Sequence, residues 1–223
     1  MTFPSRTLLD QELAQLKDNI IRLASATDES IDLAMNALQT RNVHQAHQII
    51  VNDETINQLR YDTEEHALRI LATQAPAASD LRAVIAAIHL AVEIERIGDH
   101  AAGIARLVDR MEDEDKIDSL HKLPKMAKRA REMLQQGIEA YIQKDPQLAL
   151  GIIKRDDKLD KQYNKLFREA LEEMKDDSYI RRATFLLWVG HNLERIGDRA
   201  TNIAERVIFM CTGEFVETPT ELD

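Results

Sequence analysis

Leu9, Leu13, Leu16, Ile20, Leu23, Thr27, Ile31, Ala34 and Leu38 recur at alternating spacings of three and four. That is the stripe a long amphipathic helix buries, and it predicts a first helix over residues 6–40. Asn42 is placed to cap a second helix, residues 43–73, whose stripe runs Ala46, Ile49, Ile50, Ile56, Leu59, Thr63, Ala67 and Ile70. Gln74-Ala75-Pro76 breaks it, because proline disfavours helix in the residue before it. Ser79 is expected to cap a third helix through Leu81, Ile85, Ile88 and Val92 to Met111. Glu112-Asp113-Glu114-Asp115-Lys116 reads as a charged linker, and the helical pattern then restarts. Pro124 suits a first turn, Asp145-Pro146 an N-cap with proline at the first helical position, Lys175-Asp176-Asp177-Ser178 a break, and Ile180–Met210 a sixth helix.

The second half repeats the first. Asn52-Asp53-Glu54-Thr55-Ile56-Asn57 aligns with Arg155-Asp156-Asp157-Lys158-Leu159-Asp160, and Ala67-Leu68 with Ala170-Leu171. Glu95-Arg96-Ile97-Gly98-Asp99 recurs verbatim as Glu194-Arg195-Ile196-Gly197-Asp198. The offset is 103 before the last turn of each half and 99 after it, so the length difference falls in a turn, where indels belong. The expected fold is all-α, two tandem antiparallel three-helix bundles: residues 1–112, a linker at 113–122, and residues 123–223.

Composition narrows function by exclusion. A net charge of −10 argues against a broad nucleic-acid footprint and against direct adhesion to anionic lipid. A single cysteine, Cys211, leaves no internal disulfide and no cysteine-rich zinc site, which fits a reducing cytoplasm. Residues 1–10 have no apolar signal region and no run of about 18 apolar residues occurs, so any membrane role is expected to be indirect, through a partner.

The repeated peptide carries the candidate chemistry. Glu95 and Asp99 are four apart on one helical face, where like charges repel unless something compensates. Counted outward from the shared turn, Asp53 and Asn57 fall level with Glu95 and Asp99, and Asp156 and Asp160 level with Glu194 and Asp198. Helix axes about 8 to 10 Å apart would let these groups converge on one cation. Carboxylates without cysteine suit iron, magnesium, manganese, calcium or zinc. Gly98 and Gly197, each costing about 1 kcal/mol against alanine inside a helix, point to tight helix packing or close approach of a cluster. Glu54 and Asp157, Asn57, and His100 and His191 are auxiliary candidates. Arg96 and Arg195 could neutralise the acids locally. Asp28 and Asp32, opposite Arg131 and Gln135 in the alignment, read as solvated, His44 and His47 as surface residues, and Phe185 and Trp188 as core. No Glu-x-x-His di-iron pattern, glycine-rich phosphate loop or nucleophile elbow is present.

Two tandem three-helix repeats, the Gln74-Ala75-Pro76-Ala77-Ala78-Ser79-Asp80-Leu81-Arg82 turn and the doubled Glu-Arg-Ile-Gly-Asp peptide resemble the PhoU family over nearly the whole chain. The resemblance implies a cytoplasmic negative regulator of phosphate uptake and of the phosphate-starvation response. Its implied partners are a PhoR-type sensor histidine kinase, the phosphate transporter ATPase PstB and a second copy in a homodimer. It also implies metal clusters on acidic motifs, which map here onto Glu95, Asp99, Glu194, Asp198, Asp53, Asp156 and Asp160. Asn57 and Arg106, where the second half has Asp160 and Glu205, depart from the acidic pattern, so the second site is expected to bind more tightly. A carboxylate-ligated metalloenzyme and a purely structural helical scaffold are the alternatives from other classes.

Overall fold

A computed structural model describes residues 6–111 and 120–216. The described residues form α1 (Arg6–Thr40), α2 (Val43–Gln74), α3 (Ser79–Arg110), α4 (Leu123–Gln143), α5 (Pro146–Glu173) and α6 (Ile180–Thr212), with one 3₁₀ turn at Asp177–Tyr179. The α1 stripe behaves as its spacing demands: Leu9, Leu16, Ile20, Leu23, Thr27, Ile31, Ala34 and Leu38 are all buried, and Leu13 packs partly against them. Burying a Leu or Ile contributes about 1.5–3 kcal/mol relative to leaving it in water. At 1.5 Å per residue, α1 spans roughly 50 Å.

The turns follow local chemistry. Asn42 accepts from the Gln45 amide at 3.0 Å, and Asp145 from the Gln147 and Leu148 amides at 2.8 and 3.1 Å, each satisfying donors that a helix start leaves open. Asp176 accepts from the Ser178 amide at 3.0 Å to open the 3₁₀ turn. Ser79 does not cap α3: Ala78 occupies the cap position with φ 47°, no side chain completes the cap, and Ser79 is the first helical residue. The preceding Ala75 also takes a left-handed conformation, so the turn around Pro76 is fixed by backbone geometry rather than by a serine hydroxyl. The charged stretch 112–116, and most of the linker, lie outside the described residues.

Helices α3 and α6 form the middle of the molecule and run antiparallel to each other. Arg82 Nε donates to the Met210 carbonyl at one end of the contact, and Arg181 Nη2 to the Arg110 carbonyl at the other, each at 3.3 Å. Between them Glu93 accepts from Asn202 at 3.1 Å and pairs with Arg199 at 3.4 Å, while His100 pairs with Asn192 at 3.1 Å. Glu93 and Asn192 are repeat equivalents, as are His100 and Arg199, so the two pairs are images of one another about a quasi-twofold axis. The axis places the two Glu-Arg-Ile-Gly-Asp segments side by side at the crossing.

The same axis passes between α1 and α4. Arg131 Nε bonds Asp28 at 2.8 Å and Arg131 Nη1 bonds Asp32, while Gln135 donates to Asp28 at 3.1 Å. Asp28 and Arg131 are each other's repeat equivalents, and a residue that meets its own equivalent must sit on the axis. The expectation of solvated acids therefore fails at Asp28, which is half-buried in this ion pair, and holds at Asp32, which stays exposed while bonding Arg131. Trp188 is likewise not core: it is 46% exposed, and only Phe185 is buried against it, edge to face. His47 is a surface residue paired with Asp109.

Candidate metal centre

Each bundle brings acids from the interior of its second helix, Asp53 on α2 and Asp156 on α5, to the level of its acidic motif, and the glycine of the motif sets how closely. A Cβ on Gly98 would lie 3.1 and 3.2 Å from Ile56 Cγ2 and Cδ1, and 3.7 Å from Asp53 Oδ1. A Cβ on Gly197 would overlap Leu159 Cδ2 and lie 3.1 Å from Asp156 Oδ1. Ile56 and Leu159 are repeat equivalents, so both glycines make the same indentation, which a neighbouring aliphatic side chain fills. Tight packing explains the glycines, and it carries Asp53 and Asp156 to the level of their motifs.

In the first bundle Asp53 is buried, Asn57, Arg60 and Glu95 are half-buried and Asp99 is exposed. Burial, and then the charge of Asp99, push the Asp53 and Glu95 carboxyls upward. Nearby cations oppose this: Arg106 acts on Asp53, and Arg60 and Arg96 act on Glu95. Arg60 Nε stands 3.5 Å from Glu95 Oε1. Arg96 forms its ion pair with Glu93, not with the motif acids.

The second bundle holds Asp156 and Asp160 on α5 against Glu194 and Asp198 on α6, all four half-buried. Burial raises Asp156 to about 7, with Asp160 and Asp198 adding repulsion, and the nearby Thr201 hydroxyl relieves it only in part. Burial and then Asp198 raise Glu194 to about 7 as well, against the pull of Arg195. Asp198 is raised too, chiefly by burial, although Arg195 pairs with it at 2.7 Å. Asp156 Oδ1 is buried without a hydrogen-bond donor, and the buried Glu194 Oε2 has only His191 Nδ1, 3.4 Å away, beside it. A buried, unpartnered carboxylate oxygen among mutually repelling acids is what a bound cation would satisfy. The donor set is all carboxylate, which fits a hard divalent ion. Among the described residues no three His, Cys, Asp or Glu side chains yet converge closely enough to hold one.

The auxiliary candidates divide. Glu54 and Asp157 are exposed and act on Asp53 and Asp156 only through their charge. His100 turns away from its own motif: its Nδ1 faces Asn192 Oδ1, whose amide nitrogen is already given to the Trp188 carbonyl. Its charge acts across the axis on Asp198, whose carboxyl it lowers, and Asp99 of its own motif acts on it in turn. His191 is exposed at the rim, with Nδ1 3.4 Å from Glu194 Oε2. Sequence reasoning missed Arg60, Tyr163 and Thr201. Arg60 and Tyr163 are repeat equivalents at the same offset as Asp53 and Asp156, so extending the internal alignment one helical turn would have exposed the first two.

A family model described as the PhoU domain matches residues 20–108 and again residues 123–207, once in each bundle. The chain belongs to the PhoU family. It is 32% identical over 215 residues to the phosphate-specific transport system accessory protein PhoU homolog of Clostridium acetobutylicum, covering 96% of this chain and 98% of that protein. The homolog from Zymomonas mobilis is 37% identical over 206 residues, 92% of this chain and 87% of its own length. The crystal structure of PhoU from Pseudomonas aeruginosa superposes with a TM-score of 0.87 at 31% identity, over 92% of this chain and 99% of that one. That of the phosphate transport system regulatory protein PhoU from Streptococcus pneumoniae gives 0.88 at 32%, over 94% and 100%. Among the described residues no helix is long and apolar enough to cross a bilayer.

Proposed function

We propose that this PhoU-family chain is a cytoplasmic, metal-binding negative regulator of phosphate uptake and of the phosphate-starvation response. It acts by binding rather than catalysis, linking a PhoR-type sensor kinase to the PstB ATPase of the phosphate transporter, and it works as a homodimer. Family membership and the transport-accessory names of its relatives support the regulatory part.

The observation that carries the metal-binding part is Asp156 Oδ1, buried without a hydrogen-bond donor among acids that repel one another. Asp156, Asp160, Glu194 and Asp198 would hold the ion, with Arg195 giving up its share of Asp198. A bound divalent ion would add positive charge between these mutually repelling acids and so tie α5 to α6. Burial and repulsion keep Asp156 and Glu194 partly protonated near neutral pH, so loading the site releases protons.

A deletion strain and a pull-down test the regulatory role. Without the gene, phosphatase expression in phosphate-rich medium should be derepressed, and the protein should retain the kinase's cytoplasmic region on a column. Normal repression in the deletion strain would reject the role.

A further inference from the structure

The two bundles surround the same acidic core with different neighbours. Asp160 on α5 is matched by Asn57 on α2, Tyr163 by Arg60, and Glu205 on α6 by Arg106 on α3. All three exchanges make the first bundle more positive, and two of them put a guanidinium where the second bundle has none.

Arg60 is the better placed of the two. Its side chain is only 17% exposed and its Nε is 3.5 Å from Glu95 Oε1. The outer part of the guanidinium is clamped, with Nη1 on Glu64 at 2.8 Å and the group lying 4.0 Å over the Tyr61 ring. The inner nitrogen, Nε, is buried and donates to nothing. A guanidinium keeps its charge at every pH a cell reaches, and its planar fork lets it lie against a ring while donating sideways. Asn57 Oδ1, on the same side of α2 one turn away, is also buried and unpartnered. It offers a neutral oxygen where Asp160 offers a charge.

From this we infer that Arg60 is a resident cation of the first bundle: it supplies in covalent form the charge that a divalent ion would bring, and so confines metal loading to the second bundle. Arg106, whose charge lowers Asp53, reinforces it. Two quasi-equivalent halves thereby acquire different chemistry: Arg60 stands at the motif glutamate of the first, whereas in the second the cation Arg195 pairs with Asp198 and Tyr163 takes the place of Arg60. The inference rests on the reading of the second bundle as the cation site, and the experiment separates the two.

Mn²⁺ binding to the full chain is measured by calorimetry and by the spin-resonance signal of free Mn²⁺. Wild type should bind, and Glu194→Ala with Asp198→Ala should lose that binding. Adding Arg60→Tyr, the second bundle's own residue, to this silenced background should restore Mn²⁺ binding with at least about a tenfold gain in affinity, abolished again by Glu95→Gln. Arg60→Lys, which keeps the charge, should restore far less. Should Arg60→Tyr lose helix by circular dichroism, Arg60→Gln in the same background carries the test with the same expected gain. A silenced background that still binds Mn²⁺ through Glu95 overturns the inference, and so does a folded Arg60→Tyr or Arg60→Gln variant that gains nothing. Wild type that binds no Mn²⁺, beside an Arg60→Tyr variant whose binding needs Glu95, would instead sink the second-bundle reading and leave the role of Arg60 standing.

Discussion

Replacing Gly197 by alanine sets a helix gain against a collision. An interior glycine costs a helix about 1 kcal/mol relative to alanine, so propensity alone predicts stabilisation of that size. The added methyl, however, would overlap Leu159 Cδ2 and lie 3.7 Å from Leu159 Cγ. Leu159 is fully buried and cannot swing into solvent. Overpacking of a filled core costs about 1–3 kcal/mol, and this overlap belongs at the upper end. The net expectation is destabilisation by roughly 2 kcal/mol. Two other glycines calibrate it. Gly98→Ala meets Ile56 at 3.1 and 3.2 Å, a distance that a small shift relieves, so loss and gain should nearly cancel. Gly151→Ala has nothing within 4 Å and should stabilise by about 1 kcal/mol. Urea unfolding followed by circular dichroism gives the three values from midpoint and slope. The expected order is Gly151→Ala above wild type, Gly98→Ala close to wild type, and Gly197→Ala lowest. A Gly197→Ala protein as stable as Gly151→Ala would show that the helices are not in the contact described, and the level placement of Asp156 would fall with it.

Arg131→Ala should cost about 1–2 kcal/mol, because it strips a two-point ion pair from a half-buried Asp28 at the quasi-twofold axis, and Arg131→Lys should recover only part of it. An unchanged urea midpoint would refute that contact. Stability of the metal-free protein should also depend on pH with a definite sign. Asp156 and Glu194 hold protons up to about 7 when folded but release them near 4 when unfolded. Between those values the folded chain binds more protons, so stability is greatest at the acid end and falls as pH rises towards 7, by on the order of 2–4 kcal/mol. Urea midpoints in chelator at pH 5 and 7.5 check this; Asp156→Asn should flatten the difference, and a midpoint that rises with pH contradicts the burial of these acids. For the same reason Mn²⁺ affinity should increase from pH 6 to pH 8, and an affinity independent of pH over that range would count against these acids as ligands.

Much of this was legible because it is local. The α1 stripe, the Asn42 and Asp145 caps, the Pro76 turn and the internal repeat are written in spacings of a few residues. The level pairing of Asp53 with the first motif and Asp156 with the second follows from counting outward from a turn. What the sequence hid was how the bundles meet. Arg131 looked like a mismatch to Asp28 in the alignment, yet it is the partner of Asp28, because repeat-equivalent positions face each other across a quasi-twofold axis. Proximity in sequence groups His100 with Glu95 and Asp99, whereas its ring meets Asn192 on α6. Trp188 reads as core beside Phe185, but its place on α6 leaves it half in water. Ser79 had the chemistry of a cap and lies one position too late, since Ala78 already makes the turn in a strained backbone conformation.

The central claim is that the second bundle's four carboxylates bind a cation. Its most direct test is elemental analysis of the dialysed full-length protein beside Glu194→Ala with Asp198→Ala, after both have been exposed to iron, zinc, manganese and magnesium. Wild type should retain an ion in stoichiometric amount, and the double variant should lose most of it while keeping its helix content. Equal metal in the two proteins, or none in either, would contradict the claim.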